Sequence, residues 1–171
     1  MKLLKKNEIQ NQIDSNILSV SHLEFLDDYR IGISLSETYY KISESVTLTE
    51  SVNKEVNILS KNTELTKNTF YLFQSKQNFC IPKNIIGFIQ TRSKYARIGL
   101  ELAQSSLIII PGFGMTNPAP LVLELCPKLN ISGLTLDECY GYVLLFSINP
   151  TDTINPKDYT ARFPFNNTIT I

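Results

Sequence analysis

A chain of 171 residues is long enough for one domain with a real core. Its hydrophobic fraction of 43% is that of an ordinary soluble globular protein, and 16 basic residues against 16 acidic ones leave no net charge. That balance excludes a global basic field for nucleic acid, so any anionic ligand must be met by a local cluster. No stretch approaches the roughly 18–20 apolar residues of a membrane-spanning helix. The basic start MKLLKKNEIQ runs at once into charges and amides, which predicts no signal peptide and a cytoplasmic protein with no membrane partner.

In chain order, residues 6–14 place Ile9 and Ile13 four apart among polar residues, which predicts a short amphipathic N-terminal helix. ILSV then reads as a short strand, with His22 in the loop after it. RIGISLS alternates, with Ile31, Ile33 and Leu35 on one face, and SVTLTES alternates again through Val46 and Leu48. VNIL, TFYLF and FCIP follow as separate short strands between Asn, Lys, Thr and Ser clusters. The Ser/Thr/Asn/Lys-rich segment 36–68 predicts solvent-facing strands and a long loop. Later strands are NIIGFIQ, SLIIIPG, PLVLELC, SGLTL, YVLLFSI and NTITI. Many short strands at irregular spacing predict a mainly β domain, an all-β barrel or jelly roll, with no repeat and no second domain over residues 1–171.

The chemistry-bearing residues are few. His22 is the only histidine, which excludes a multi-histidine metal site within one chain and leaves a Ser-His-Asp triad without a nucleophile signature. Cys80, Cys126 and Cys139 lie far apart with no CxxC, which predicts reduced thiols rather than a zinc site. The segment TRSKYARIGL, residues 91–100, stands out because it sets Arg92, Lys94 and Arg97 between two apolar runs. Ala96 and the long side chains suit a short helix after a strand ending at Gln90, with Ser93 near the N-cap and Gly99 closing it. Arg92, Ser93 and Lys94 then form either an anion site or a capped, solvated turn.

TRSKYARIGL resembles the GRSSLARLGL motif of the dCTP deaminase family, within the trimeric dUTPase-like superfamily. The likeness extends along most of the chain. PKNIIG resembles the P-x-x-I-x-G leading into that motif, IIIPGFG the IDPGW turn and PLVLELC the I-x-L-E-L strand. GLTLDECYGYVLLF resembles L-x-L-x-P-G-M-x-I-G-x-L-x-F, and NEIQNQIDSNILSV, residues 7–20, resembles the family's opening helix and strand. The resemblance implies a distorted β barrel or jelly roll with one short N-terminal and one short mid-chain helix. It also implies a homotrimer with pyrimidine nucleotide sites between subunits.

By the same resemblance, Arg92 and Ser93 contact the triphosphate, with Lys94 beside them. Ser93 and Arg97 hold the reactive water and the base, and Glu124 is the catalytic carboxylate of a hydrolytic, zinc-independent deamination of dCTP to dUTP. Magnesium would ride on the triphosphate. The tail NPKDYTARFPFNN resembles the family's Lys-Tyr closing segment, implying phosphate contacts from Lys157 and Tyr159.

The departures bear on activity. The Gly before the first arginine is Thr91, the second serine is Lys94, and the aspartate of IDPG is Ile110. The early D-L-R-L-G stretch finds its counterpart in GISLS, without Asp or Arg. A few extra residues in GFGMTNPAP separate Pro111 from Glu124, which reaches the site only if they loop out. Glu124 lies on the opposite strand face from Leu123 and Leu125, so it faces either a site or solvent. Three functions stay open: a dCTP deaminase, a catalytically inactive relative that binds nucleotide or a protein, and a dUTPase. The missing acidic residue at Ile110 argues against the last.

Overall fold

In the computed structural model, which describes residues 1–42, 54–102 and 107–149, Ile9 and Ile13 do share one face of a helix. A two-residue strand, β1 (Lys2–Leu3), leads into that helix, α1 (Lys6–Asp14). The Glu8 carboxylate accepts a hydrogen bond from the Lys5 N–H at 3.1 Å, satisfying a donor at the helix start. Asn16, at φ 55°, turns the chain into β2 (Ser19–Val20), and His22 sits just beyond it in an exposed loop. The expected strand through Val46 and Leu48, the tail residues Lys157 and Tyr159, and the NTITI stretch lie outside the described residues.

The RIGISLS alternation divides at Ser34 into β3 (Arg30–Ile33) and β4 (Leu35–Ile42). Ile31, Ile33 and Leu35 are buried as their spacing predicts, but so is Ser34 between them. Its N–H donates to the side-chain oxygen of the fully buried Gln77 at 3.0 Å, so this segment is covered on both faces. Next come β5 (Lys54–Ile58) and β6 (Glu64–Leu65). TFYLF and FCIP, expected as two strands, are the ends of one ten-residue strand, β7 (Tyr71–Cys80). The polar QSKQN between them stays in the ladder because its buried members are satisfied. Ser75 Oγ donates to Gln77 O at 2.5 Å and accepts from the Leu121 N–H at 2.8 Å.

The remaining elements are β8 (Ile85–Thr91), α2 (Ser93–Ala96), β9 (Ile108–Ile109), β10 (Ala119–Leu125), β11 (Ile131–Ser132) and β12 (Gly141–Ser147). SGLTL, expected as a strand, contributes only Ser132 to β11, because Gly133 at φ 76° turns the chain away. Arg92 is the N-cap of α2 and Ser93 its first helical residue, and β8 runs to Thr91 rather than Gln90.

Among the described residues, two sheets of five antiparallel strands face each other, with a third ladder of β6 and β11. In the first, β12 is central: β8 takes one edge, β1 and β3 share the other, and β9 lies outside β8. In the second, β7 is central, flanked by β10 on one side and by β4 and β2 on the other, with β5 outermost. The alternating residues of β8, β10 and β12 point inward with Phe73 and Phe79 of β7, and these side chains fill the space between the sheets. The β8–β12 ladder runs from Ile85 opposite Ser147 to Thr91 opposite Gly141. It therefore brings α2 and the turn preceding β12 to the same end of the sheet. No helix among the described residues is long and apolar enough to cross a membrane.

Candidate functional site

That shared end is held by a short set of contacts. The Arg92 N–H donates to the Tyr140 carbonyl at 2.9 Å, fixing the start of α2 against the turn before β12. Tyr95, buried on the inner side of α2, packs on the Tyr140 ring at 4.6 Å between centroids. Tyr140 is fixed in turn by its hydroxyl, which donates to Thr135 O at 2.9 Å and accepts from the Thr135 N–H at 2.7 Å. Thr91, where the family motif has Gly, uses its side chain: Oγ1 accepts the Leu102 N–H at 2.9 Å and ties together both ends of the 91–102 segment. Gly99, at φ 72°, closes α2 as expected and lies against Lys128, whose N–H donates to Gly99 O at 3.0 Å.

Two cavities flank Arg92. The smaller, about 230 Å³, is lined by Arg30, Arg92, Ser93 and Lys94 with Gln90, Thr91 and Tyr142. Its lining carries three cations, three hydroxyl-bearing residues and no acidic residue. The larger, about 500 Å³, is lined by Asp27, Asp137 and Glu138 together with Arg92, Cys139 and Tyr142. Arg92 and Tyr142 line both. Glu138 bridges the charges: its Oε1 accepts from Arg92 Nη1 at 3.2 Å and from Lys94 Nζ at 3.4 Å. Arg92 Nη1 also reaches the Cys139 carbonyl at 3.5 Å. Arg30 is ion-paired with Asp27 and stacks over the Tyr142 ring, 4.3 Å from its centroid.

The Tyr95 hydroxyl, with Lys94 and Arg92 beside it, holds the Glu138 carboxyl below the usual carboxylate range. Burial first, and then the neighbouring Glu138 charge, push the Tyr95 phenol up. Burial likewise raises the Cys139 thiol, whose Sγ lies 3.2 Å from Gly141 O, so this cysteine is a poor nucleophile. A lowered folded-state value means that Glu138 contributes stability in full above its ordinary value of 4.5, and that this is lost as pH falls through the lower folded-state value. Glu8 and Asp27 shift in the same direction, so the difference between two proteins isolates Glu138. Melting temperatures of wild type and Glu138→Gln are expected to converge as pH is lowered from 7 toward 3. A gap unchanged across that range would mean that the carboxylate's charge contributes nothing to the fold.

The expected site residues separate into two groups. Arg92, Ser93 and Lys94 line the smaller cavity together. Arg97 and Glu124 line neither of the two cavities. Arg97 caps the C-terminal end of α2, exposed, with no side-chain hydrogen bond or ion pair among the described residues. Glu124 lies on β10 opposite Leu72 of β7, half-buried, on the face away from the buried Leu123 and Leu125. The 111–118 segment does loop out. Gly112 and Phe113 bond to Ile81, Gly114 at φ 70° presses on the Phe79 carbonyl, and the tip from Met115 to Pro118 is exposed. Ile110 occupies the position of the family's aspartate, half-buried and without a carboxylate.

Two site residues went unanticipated. Arg30 had a signal: DYRIG, residues 28–32, has the D-x-R-x-G spacing, four residues before the end of the GISLS stretch matched to it. Glu138 had less, only the acidic pair Asp137–Glu138 in a turn otherwise apolar.

Residues 3–132 match the family model described as dCTP deaminase-like. The chain belongs to the dCTP deaminase-like family. It is 28% identical over 120 residues to the dCTP deaminase of Buchnera aphidicola subsp. Baizongia pistaciae, covering 66% of this chain and 61% of that one. Against the dCTP deaminase of Buchnera aphidicola subsp. Schizaphis graminum it is 29% identical over 141 residues, 77% of this chain and 72% of the relative. The chain thus spans about 61% of the length of the first of these relatives. Its fold is similar to that of 2′-deoxycytidine 5′-triphosphate deaminase from Agrobacterium tumefaciens, with a TM-score of 0.65 at 14% identity over 88% of this chain and 50% of that chain. The Staphylococcus bacteriophage 80alpha dUTPase is similar at a TM-score of 0.50 and 12% identity, over 84% of this chain and 98% of that chain. At identities this low the likeness to the two structures is one of fold. The expected mainly β, dUTPase-like architecture with two short helices is the one found.

Proposed function

We propose that this dCTP deaminase-like chain is a zinc-independent deaminase of dCTP or a closely related pyrimidine nucleotide, acting as a homotrimer with sites shared between subunits. The observation that carries this reading is the cationic cavity at the β8–α2 junction, where Arg30, Arg92, Ser93 and Lys94 converge. Guanidinium and ammonium donors with a hydroxyl are suited to a phosphate chain. Lys157 and Tyr159 would add contacts to the same phosphates, and magnesium would be carried by the triphosphate.

Arg97 and Glu124 lie outside that cavity, so in this reading they act on the base across a subunit boundary. Ser93 and Arg97 position water and base. Water adds to C4 of the cytosine, Glu124 accepts its proton, and the same carboxyl returns a proton to the departing amine. A C–O bond forms, the C–N bond breaks, and ammonia leaves a uracil nucleotide.

A second reading, nucleotide binding without turnover, draws on Ile110 in place of the family's aspartate and on Glu138 already pairing with Arg92 and Lys94. A pyrimidine nucleotide panel scored for both thermal stabilisation and ammonia release separates the two. Stabilisation with ammonia supports the deaminase, stabilisation alone supports the binding protein, and the absence of both signals rules out a pyrimidine nucleotide site.

Arg92→Ala is expected to weaken nucleotide binding by roughly 1.5–3 kcal/mol, the range of a hydrogen bond to a charged group. The melting curve of the unliganded protein should move little, because the Arg92–Glu138 pair is partly exposed and such pairs contribute about 0–1 kcal/mol. Calorimetric titration with dCTP at two salt concentrations is the check. Unchanged affinity would reduce residues 92–94 to a capped turn.

A further inference from the structure

Glu138 pairs with cations that line the proposed phosphate cavity, from the cavity on the other side of Arg92. One carboxylate oxygen serves two of the three cations of the smaller cavity, Arg92 at 3.2 Å and Lys94 at 3.4 Å. The carboxylate approaches them from the larger cavity, whose other charged residues are Asp27, Asp137 and Arg92 itself. Glu138 is not locked there by burial, since its side chain is 32% exposed. The larger cavity it already lines gives it about 500 Å³ into which to withdraw.

We propose that Glu138 is a specificity-determining residue, an internal competitor that holds two cations of the phosphate subsite from the neighbouring cavity and yields only to ligands carrying more negative charge than a carboxylate. The inference rests on reading the Arg30–Arg92–Lys94 cavity as a phosphate site. A monoanion gains no more from Arg92 and Lys94 than Glu138 already gains, and Glu138 is tethered at high effective concentration. A terminal phosphate carries about −1.5 to −2 charge at neutral pH, so it gains more and binds by exchange. The displaced carboxylate stays nearby, and its repulsion grows with the ligand's charge. The cost of exchange therefore excludes carboxylates and other singly charged anions, while polyphosphates are still admitted.

The test titrates inorganic phosphate, pyrophosphate and tripolyphosphate into wild type, Glu138→Gln and Arg92→Ala by calorimetry, with melting curves to verify folding. Glu138→Ser provides a second uncharged variant should the glutamine protein fail to fold. Removing the competitor is expected to tighten binding of each phosphate by roughly tenfold or more, and acetate, added as a singly charged anion, is expected to bind Glu138→Gln but not wild type; acetate binding the two alike would overturn the selectivity. If Arg92→Ala loses binding but Glu138→Gln binds as wild type or more weakly, Glu138 is only a prop for the arginine and the inference is overturned, with the phosphate site intact. If Arg92→Ala loses nothing, or no protein binds these anions, the phosphate reading falls and takes the inference with it.

Discussion

Replacing Glu124 by glutamine is expected to lower ammonia release by roughly 10²- to 10⁴-fold while leaving nucleotide binding in place. The amide keeps the shape of the side chain and removes the group that accepts and returns the proton. β10 holds residue 124 between two fully buried leucines, Leu123 and Leu125, so the strand and its register on β7 are set by those neighbours rather than by the carboxylate. The fold should survive the change. In the proposed trimer Glu124 meets Arg97 of a neighbouring copy, so light scattering should return three chains at micromolar concentration. A monomer with full activity would end the shared-site arrangement. Wild-type turnover that persisted in the glutamine protein would strip Glu124 of its role even if nucleotide binding were demonstrated.

Phe73→Ala is expected to have the largest effect on stability, about 3–5 kcal/mol. Phe73 is fully buried on the central strand β7, and its ring stacks on Tyr39 of β4 at 4.7 Å with planes 11° apart. Truncation removes the packing of a whole ring where β4, β7 and β10 are paired, and leaves a cavity that neighbours on three strands cannot jointly close. Against a typical total of about 5–15 kcal/mol, that loss brings a domain near its threshold. Urea unfolding at fixed protein concentration should show a lowered midpoint with an unchanged slope. A midpoint within experimental error of wild type would mean that the core is not centred on β7.

The elements with a clean period were legible in the sequence. α1 has the bounds that Ile9 and Ile13 predict, and β8, β10 and β12 follow their apolar runs closely. β7 was not legible as one strand, because a polar stretch reads as a break unless Ser75 and Gln77 are known to be buried and hydrogen-bonded to distant backbone. The same blindness applies to the site. Arg92, Ser93 and Lys94 are neighbours in sequence and were found together. Arg30 and Glu138 join them only because β3 and β8 pair with β12, a juxtaposition set by long-range register rather than by any local motif. Glu124 and Arg97 were paired by resemblance alone, and both lie away from the two cavities that flank Arg92.

The pairing of β7 also bears on how the chain reaches this fold. Its described partners are Ser19–Val20, Leu35–Lys41 and Ala119–Leu125, and none is joined to it by a tight hairpin. The other central strand, β12, takes its partners from as far back as Lys2 and Leu3. A domain closed by such distant contacts belongs with the slower folders, in milliseconds to seconds rather than microseconds. During synthesis, the edge of β7 that will accept β10 stays open until residue 125 has emerged, and β8 waits longer still for residues 141–147. Unpaired apolar strands in that interval are templates for association with other chains. The interval between making β7 and making β10 is therefore when this protein is most exposed to aggregation, and when a chaperone would have most to protect.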